Sequence, residues 1–332
     1  MTMIETISAA LETIADPAGK GGLITAGRIT APRFSDGKAS VILDVTGLTP
    51  AQRDALDKQV HQALEAVEGV TDIRVAMTAA KTTRRLIAVG SGKGGVGKST
   101  LSANLAVALK RMGRKVGLID ADIYGPSQPR LMATEGMRPE ARGQNLIPVE
   151  SRYGVPMLSM GHLVKPGQAI AWRGPMAGNA LGQLIDADWG ETDMIIVDLP
   201  PGTGDVQLSM ISKHKPIGAL IVSTPQDLAL IDAMRAIDLF NQSTVPIIGL
   251  VENMAGYACP HCGEISDPFG QGGAEAAAKT MGHAFMGRVP LDIAIRTASD
   301  AGEPPAAGDE AHGQAFAAIA HRLAAWIDNQ KG

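Results

Sequence analysis

The chain has 332 residues, a formal net charge of −4, 45% hydrophobic residues and only 3% aromatic residues. This length exceeds that of one ordinary domain and predicts a large α/β domain plus a smaller one. The acidic balance, with no long run of Lys or Arg, argues against a protein that coats nucleic acid. No apolar run approaches the roughly 20 residues that span a bilayer, and the first residues lack a signal-peptide pattern, so we expect a cytoplasmic protein with no membrane partner.

Residues 1–77 have the pattern of a small α+β domain. Apolar residues recur at helical spacing over residues 4–14, and they alternate as in strands over residues 41–45 and 73–77. A second helix is predicted to begin after Thr49, an N-cap that is followed by Pro50 at the first position and by Gln52, which completes a capping box. The polar stretch 78–84 is interpreted as a linker.

From residue 85 to 332, short apolar runs alternate with helical patterns, which predicts a parallel sheet with helices on both faces. The predicted strands lie at residues 86–89, 116–119, 194–197, 219–222 and 247–251. Frequent Pro and Gly between residues 133 and 174 predict a hairpin or an irregular excursion. A final helix over residues 316–327 is expected to pack on the core rather than on a membrane surface. Ligands of such a sheet bind at the carboxyl ends of its strands.

A glycine-rich loop follows the first of these strands and fits the G-x-x-x-x-G-K-[ST] phosphate-loop pattern. Its backbone N–H groups and the helix that follows suit phosphate oxygens, while Lys98 is expected to reach the β- and γ-phosphates and Ser99 to hold Mg²⁺. The residues predicted to bind the nucleotide here are Gly92, Gly94, Gly95, Val96, Gly97, Lys98, Ser99 and Thr100.

Carboxylates follow two further strands of the predicted sheet. Asp198 ends an apolar strand in the manner of a Walker B aspartate and is expected to hold Mg²⁺ through a water molecule. Asp122 follows the second strand, and we predict that it orients the attacking water. The alternative for both is a helix cap, the usual role of a lone aspartate at a strand end.

Cys259 and Cys262 are the only cysteines, which excludes a disulfide framework. Two thiolates complete neither a zinc site nor an iron-sulfur site, because each needs about four ligands. Two chains facing each other would bring four sulfurs around one [4Fe-4S] cluster or one zinc ion. A redox dithiol is the remaining alternative, although Gly263 and Pro268 argue against the helix that such a pair usually opens.

These motifs together resemble the Mrp/ApbC family of iron-sulfur cluster carrier ATPases over roughly residues 85–330. The resemblance rests on the phosphate loop, DADIYGPS from residue 120, WRGPM from residue 172, DLPPGTGD from residue 198, ENM from residue 252 and CPHC from residue 259. The N-terminal domain is similar, through Asp16-Pro17, to the iron-sulfur assembly domain fused to bacterial members. It contains no cysteine, so we expect a docking or structural role for it.

The phosphate loop also resembles the deviant Walker A group, in which an early lysine contacts nucleotide across a dimer interface. This resemblance implies a homodimer and a catalytic role for Lys93, alongside Lys98 and Asp122. It further implies that Asn253 contacts adenine. The guanine signature Asn-Lys-x-Asp is missing after the strand ending at residue 251, which favours ATP over GTP.

The function that the family resemblance implies is ATP-dependent transfer of a [4Fe-4S] cluster from an assembly scaffold to apo iron-sulfur proteins. In that reading the nucleotide state changes the dimer contact that holds the cysteines, and so controls cluster retention. The alternative is a regulatory or positioning ATPase, similar to chromosome-partition and division-site proteins, whose cysteines are stapled by zinc.

Overall fold

The computed structural model describes residues 2–78, 84–143, 145–163 and 175–330. Contacts divide the chain into two units, Met1–Thr83 and Arg84–Gly332. Most of the stretch interpreted as a linker, residues 79–83, lies outside the described residues, as do residues 172–174 of the WRGPM motif.

The first unit packs two helices against a three-stranded sheet of order β1-β2-β3, in which β1 and β2 are antiparallel and β2 and β3 are parallel. The capping box of Thr49 and Gln52 is present at the start of its second helix, as predicted. Alternate residues of β2 face a core shared with both helices. The elements are α1 (Met3–Glu12), β1 (Arg33–Ser35), β2 (Lys38–Asp44), α2 (Pro50–Glu65) and β3 (Asp72–Thr78).

A buried ion pair closes the loop between α1 and β1 in this unit. The Asp16 side chain is 4% exposed and accepts a hydrogen bond from the Arg28 guanidinium, which also donates to the main-chain carbonyl of Asp44 at 3.0 Å. Burial raises the pKa of Asp16, but hydrogen bonds from Arg28 and from nearby backbone N–H groups outweigh it and hold the pKa below 3.8.

Replacing Asp16 with alanine is expected to cost the first unit about 3 kcal/mol, because Arg28 is then left buried without its partner. The folded pKa lies below the unfolded value, so this stabilisation is present above about pH 4 and is lost as pH falls through the folded pKa. Hydrogen exchange followed by mass spectrometry over residues 23–44, at about pH 7 and about pH 3, measures both effects. Asp54→Ala on the exposed face of α2 is the control; equal protection in both variants would contradict the expectation.

The second unit is built on an eight-stranded sheet of order β15-β12-β11-β4-β10-β5-β9-β8. Neighbouring strands are parallel except at the β8–β9 edge, where they are antiparallel. The strands of this unit are β4 (Arg85–Ser91), β5 (Val116–Asp120), β6 (Glu140–Arg142), β7 (Asn145–Ile147), β8 (Val149–Glu150), β9 (Pro156–Ser159), β10 (Met194–Asp198), β11 (Gly218–Ser223), β12 (Ile247–Asn253), β13 (Tyr257–Ala258), β14 (Ile265–Ser266) and β15 (Phe285–Val289).

Helices cover both faces of this sheet, as predicted for the α/β class. One core joins α3 and α10 to the sheet and the other joins α5 and α7 to the opposite face, with successive residues of β4 pointing into alternate cores. The helices are α3 (Lys98–Arg111), α4 (Gln128–Leu131), α5 (Pro175–Ile185), α6 (Asp205–Ser209, continued by a π turn at Met210–His214), α7 (Asp227–Gln242), α8 (Gly273–Met281), α9 (Ile293–Asp300) and α10 (Ala311–Asn329); 3₁₀ turns occupy Met160–His162 and Pro305–Ala307.

Each of the five sequence-predicted strands corresponds to a strand of this sheet, namely β4, β5, β10, β11 and β12. The expected hairpin is formed by β6 and β7. The final helix packs on the core as predicted: Phe316, Ile319, Leu323 and Ile327 are each at most 1% exposed, which corresponds to about 1.5–3 kcal/mol of burial for each side chain. Within the described ranges, none of the helices reaches the length and apolar character that crossing a bilayer requires.

Candidate functional site

The phosphate loop joins the end of β4 to the start of α3, at the carboxyl edge of the sheet. Gly95 and Gly97 have positive φ values of 80° and 83°, which lets the loop turn into the helix. Close packing also requires glycine at two positions. A Cβ on Gly92 would lie 2.0 Å from the carbonyl carbon of Asp232 in α7, and one on Gly97 would lie 2.0 Å from Nδ2 of Asn253.

The other predicted loop residues differ in exposure. Gly94 and Gly95 are exposed, Val96 is 2% exposed, and Thr100 is half-buried in the first turn of α3. The loop therefore presents its glycine backbone outward while Val96 anchors it to the core, an arrangement suited to holding phosphate oxygens at a helix N-terminus.

The Lys98 ammonium lies between the two oxygens that the sequence assigns to Mg²⁺. Its Nζ is 2.6 Å from Oδ1 of Asp198 and 3.3 Å from Oγ of Ser99. Lys98 is 6% exposed and Asp198 is fully buried. The ammonium is thus a stand-in cation, and the hydroxyl and carboxylate around it are the oxygen ligands that Mg²⁺ prefers. These residues fit a magnesium ion.

Two further side chains hold Asp198 in place. The Ser102 hydroxyl donates to Oδ1 at 3.0 Å, and Gln128 Nε2 donates to Oδ2 at 2.9 Å. Gln128 Nε2 also donates to the carbonyl of Ser99 at 2.9 Å, so one amide joins the start of α3 to the end of β10. Sequence reasoning missed both Ser102 and Gln128. For Ser102, the signal was its position one helical turn after Lys98 on the face toward the sheet.

A second buried carboxylate, Asp120 at the end of β5, lies next to this network. Burial and the negative charge of Asp198 raise the pKa of Asp120 to about 7, although hydrogen bonds from Gln128 N–H, the Ser159 hydroxyl and Asp122 N–H act in the opposite direction.

Asp122, the residue predicted to orient water, makes local contacts. Its Oδ1 accepts hydrogen bonds from the backbone N–H groups of Tyr124 at 3.0 Å and Gly125 at 3.2 Å. This is the geometry of an Asx turn, and the side chain remains half-buried at the carboxyl edge of the sheet.

Lys93 points to the start of α7. Its Nζ is 3.4 Å from Oε1 of Gln226, and Thr224 Oγ1 lies at the same distance from that oxygen. The Ser91 hydroxyl donates to the Lys93 carbonyl at 2.9 Å and fixes the backbone of the loop. The half-buried ammonium therefore rests on a neutral amide beside the phosphate loop.

Two successive residues at the end of β12 connect different parts of the site. Asn253 Nδ2 donates to the carbonyl of Val96 at 2.8 Å and so ties β12 to the phosphate loop. Glu252 is fully buried and accepts from Ala274 N–H at 2.8 Å at the start of α8, and from Arg288 at 3.0 Å. Both cysteines lie in the segment between Asn253 and Ala274.

Cys259 and Cys262 lie in the turn of the β13–β14 hairpin. Cys259 N–H donates to the carbonyl of Glu264 at 2.9 Å, and Gly263 N–H donates to the carbonyl of Cys259 at 2.8 Å. Cys262 is exposed and Cys259 is half-buried, and both are free thiols. The backbone N–H groups of Cys262 and His261 hold the pKa of the Cys259 thiol below its usual 9.0, which favours the metal-binding thiolate.

The hairpin presents two sulfur ligands. No group of three or more His, Cys, Asp or Glu side chains suited to a metal occurs among the residues that the structure describes. His261, although it lies between the cysteines, is exposed. One chain therefore provides two ligands of the roughly four that zinc or an iron-sulfur cluster needs.

Comparison with known proteins identifies relatives of both units. The family described as NUBPL iron-transfer P-loop NTPase matches residues 82–324, and the iron-sulfur cluster assembly protein family matches residues 4–76. A protein named iron-sulfur cluster carrier protein from Deinococcus radiodurans is 41% identical, with 98% of this chain and 96% of the relative covered. A protein named iron-sulfur cluster transfer protein NUBPL from Dictyostelium discoideum is 43% identical over 83% of this chain and 85% of its own length.

Solved structures support the same assignment. A nucleotide-binding protein from Archaeoglobus fulgidus, solved with ADP, is 38% identical with a TM-score of 0.61, covering 70% of this chain and 91% of its own. The cell division protein MinD from Aquifex aeolicus, at 24% identity and a TM-score of 0.53 over 73% of this chain and 97% of its own, shares the fold. The resemblance to the Mrp/ApbC carriers is confirmed: the chain belongs to the family of NUBPL-type iron-transfer P-loop NTPases.

Proposed function

We propose that the protein is an ATP-dependent iron-sulfur cluster carrier. Two copies hold one [4Fe-4S] cluster between their cysteine hairpins and release it to apo iron-sulfur proteins. The observation that carries the proposal is the pair of adjacent free thiols, Cys259 and Cys262, on a hairpin whose base is bonded to the phosphate loop through Asn253. The relatives named as carriers support the same cargo.

The chemistry of the hairpin supports a shared cluster. Thiolates are the ligands of iron-sulfur clusters, and hydrogen bonds from the backbone N–H groups of Cys262 and His261 favour the thiolate form of Cys259. Two hairpins supply four sulfurs. Because the turn is exposed and short, a cluster held there lies at the protein surface, where transfer to another protein is direct.

Apolar side chains near the hairpin and the start of α7 support a face for a second copy. Ile265 on β14 is 72% exposed, and Leu228 and Ile231 on α7 are 73% and 44% exposed. The start of α8, which follows the hairpin in the chain, packs next to α7: a Cβ on Gly273 would lie 2.5 Å from the carbonyl oxygen of Pro225. The proposed face would include the cysteine hairpin and the start of α7, where Lys93 contacts Gln226.

ATP and Mg²⁺ are assigned to the phosphate-loop site. Ser99 and Asp198 would hold Mg²⁺, which neutralises charge on the β- and γ-phosphate oxygens when bound. Lys98 moves from Asp198 to the phosphates, and Asn253 provides an amide for the adenine. Lys93 stabilises charge on the transferred phosphoryl group of the partner copy, and Asp122 orients the attacking water.

The partners follow from the cargo. An assembly scaffold supplies the cluster and apo iron-sulfur proteins receive it, in the cytoplasm, where thiols stay reduced. The first unit, which has no cysteine, is assigned to docking of these partners or to a structural role. Neither nucleic acid nor a membrane is needed in this scheme.

Anaerobic reconstitution tests the proposal. The protein is supplied with iron and sulfide, and its absorption spectrum, its iron and zinc content and its mass in solution are measured with and without Mg-ATP. We expect a visible iron-sulfur absorption band, about four irons per two chains and a dimer. A strict monomer under all these conditions would overturn the shared site, whereas one tightly held zinc ion per two chains would favour the zinc-stapled ATPase.

A further inference from the structure

Gln128 is the most buried amide of the nucleotide site. It is the first residue of α4 and is fully buried. Its backbone N–H donates to Asp120 at 3.0 Å, while its side-chain Nε2 donates both to Asp198 Oδ2 and to the Ser99 carbonyl, each at 2.9 Å. Nothing in the sequence pattern had marked this residue.

These contacts determine the orientation of the amide. Both partners of Nε2 are acceptors, so the reverse orientation would place the amide oxygen against two other oxygens. In the observed orientation Oε1 is buried and has no hydrogen-bond partner. A buried acceptor without a partner is costly, and such an atom in a folded protein calls for an explanation.

The position of the Gln128 amide beside Asp198 and Ser99 bears on which donor Oε1 serves. Oε1 and Nε2 are bonded to the same carbon. Because Nε2 donates to Asp198 Oδ2, the unpartnered oxygen also lies close to that carboxylate. On the other oxygen of that carboxylate, the Lys98 ammonium bridges Asp198 and Ser99. When Lys98 moves to a phosphate, the cation that replaces it beside Asp198 is hydrated, because Mg²⁺ keeps several of its waters in protein sites.

Mg²⁺ polarises the waters bound to it and makes them strong hydrogen-bond donors, so they need acceptors around them. The carboxylate of Asp198 is a charged acceptor for such a water, and Oε1 of Gln128 is a neutral acceptor. We propose that Gln128 is a positioning residue of the magnesium site: Nε2 orients Asp198, and Oε1 accepts a hydrogen bond from a water on the metal. This inference rests on the proposed binding of Mg-ATP.

Two substitutions of Gln128 separate this role from a purely structural one. Gln128→Met has a similar size and removes both the donor and the acceptor, whereas Gln128→Glu keeps an acceptor, loses the Nε2 donor to Asp198 and Ser99, and adds negative charge beside Asp198. The binding of a non-hydrolysable ATP analogue is measured by calorimetry with and without Mg²⁺. We expect Gln128→Met to reduce the gain in affinity that Mg²⁺ provides by about ten- to a hundredfold, with little change when Mg²⁺ is absent. Gln128→Glu should retain more of that gain than Gln128→Met, because it keeps the acceptor for the metal-bound water.

Asn104 provides the matched control, since it is a buried amide on α3 with both ends satisfied. Its Nδ2 donates to the Thr100 carbonyl at 2.8 Å and its Oδ1 accepts from Ala306 N–H at 2.7 Å. Asn104→Leu should lower thermal stability and leave the magnesium effect unchanged.

Two outcomes would overturn the inference, and a third would overturn its premise. An unchanged magnesium effect in Gln128→Met, or an equal loss of affinity with and without Mg²⁺, would leave Gln128 with a structural role at most. A loss of the magnesium effect in Gln128→Glu as large as in Gln128→Met would show that an acceptor at this position does not support magnesium binding. If Mg²⁺ has no effect on nucleotide binding by the unsubstituted protein, the proposed Mg-ATP site itself is wrong. The experiment therefore distinguishes a failure of the role of Gln128 from a failure of the proposed site.

Discussion

Replacing Cys259 or Cys262 with serine is expected to abolish cluster binding while nucleotide affinity stays unchanged. A hydroxyl is a hard, weakly acidic ligand and does not replace a thiolate on iron. The hairpin itself should persist, because its closing hydrogen bonds run between the backbones of Cys259, Glu264 and Gly263 and use no sulfur. Iron content after anaerobic reconstitution and calorimetry with Mg-ATP measure the two properties in the same samples.

His261→Ala is the matched control for these variants. His261 lies exposed between the two cysteines, so its replacement changes the same turn without removing a sulfur. We expect the cluster to be retained. A Cys262→Ser variant that still holds and delivers a complete cluster would show that the site has been assigned to the wrong residues.

Mixing experiments sharpen this prediction because they test whether one cluster joins two chains. Unsubstituted protein is combined before reconstitution with an excess of a chain in which both cysteines are serine. If the cluster bridges two hairpins, mixed dimers lack half of the ligands and iron per unsubstituted chain should fall as the excess rises. Iron content that does not respond to mixing would mean that one chain holds its metal alone.

Replacing Lys98 with alanine is expected to lower the free energy of unfolding of the nucleotide-free protein by about 3–5 kcal/mol. The reason is that Asp198 would remain fully buried without its counter-charge. Mg²⁺ alone should recover part of this loss, since the oxygens of Ser99 and Asp198 become free to bind it. Nucleotide affinity should fall strongly, whereas cluster binding should persist, the converse of the cysteine variants.

Urea unfolding with and without millimolar Mg²⁺, in the absence of nucleotide, measures the effect on stability. Lys110→Ala, an exposed lysine of the same helix, is the control and should behave like the unsubstituted protein. The expectation fails if Mg²⁺ stabilises the unsubstituted protein as much as the Lys98 variant, because the ammonium would then not compete with the metal.

Local sequence signals predicted the framework well, for physical reasons that single residues illustrate. The side chains of Thr49 and Gln52 each bond the other residue's backbone N–H within four residues of sequence. The start of α2 can therefore be predicted from the local sequence alone. The central strands are buried on both faces and are therefore continuous apolar runs. Strands β9 and β15 were missed because they are short and include Pro156, Gly287 and Arg288, which interrupt such a run.

The candidate site was predicted where chemistry follows a fixed spacing and missed where it depends on the fold. Gly97, Lys98 and Ser99 follow one another in a pattern that phosphate binding requires. Gln128 lies eight residues after Asp120, and only the return of α4 over the start of α3 brings its amide to Asp198. The roles proposed for the site residues all stay predictions, including those of Lys93, Asp122 and Asn253, which the structure places beside the phosphate loop or at the carboxyl edge of the sheet.

The consecutive positions of Glu252 and Asn253 have a consequence for communication between the two ligands. Side chains of neighbouring strand residues point in opposite directions, so one peptide unit at the end of β12 is fastened on one side to the phosphate loop and on the other to α8. In the proposed carrier, the nucleotide site and the cysteine hairpin are therefore linked through this short stretch of backbone. A small displacement of this single stretch of backbone would, in the proposed carrier, shift the base of the cysteine hairpin together with the phosphate loop.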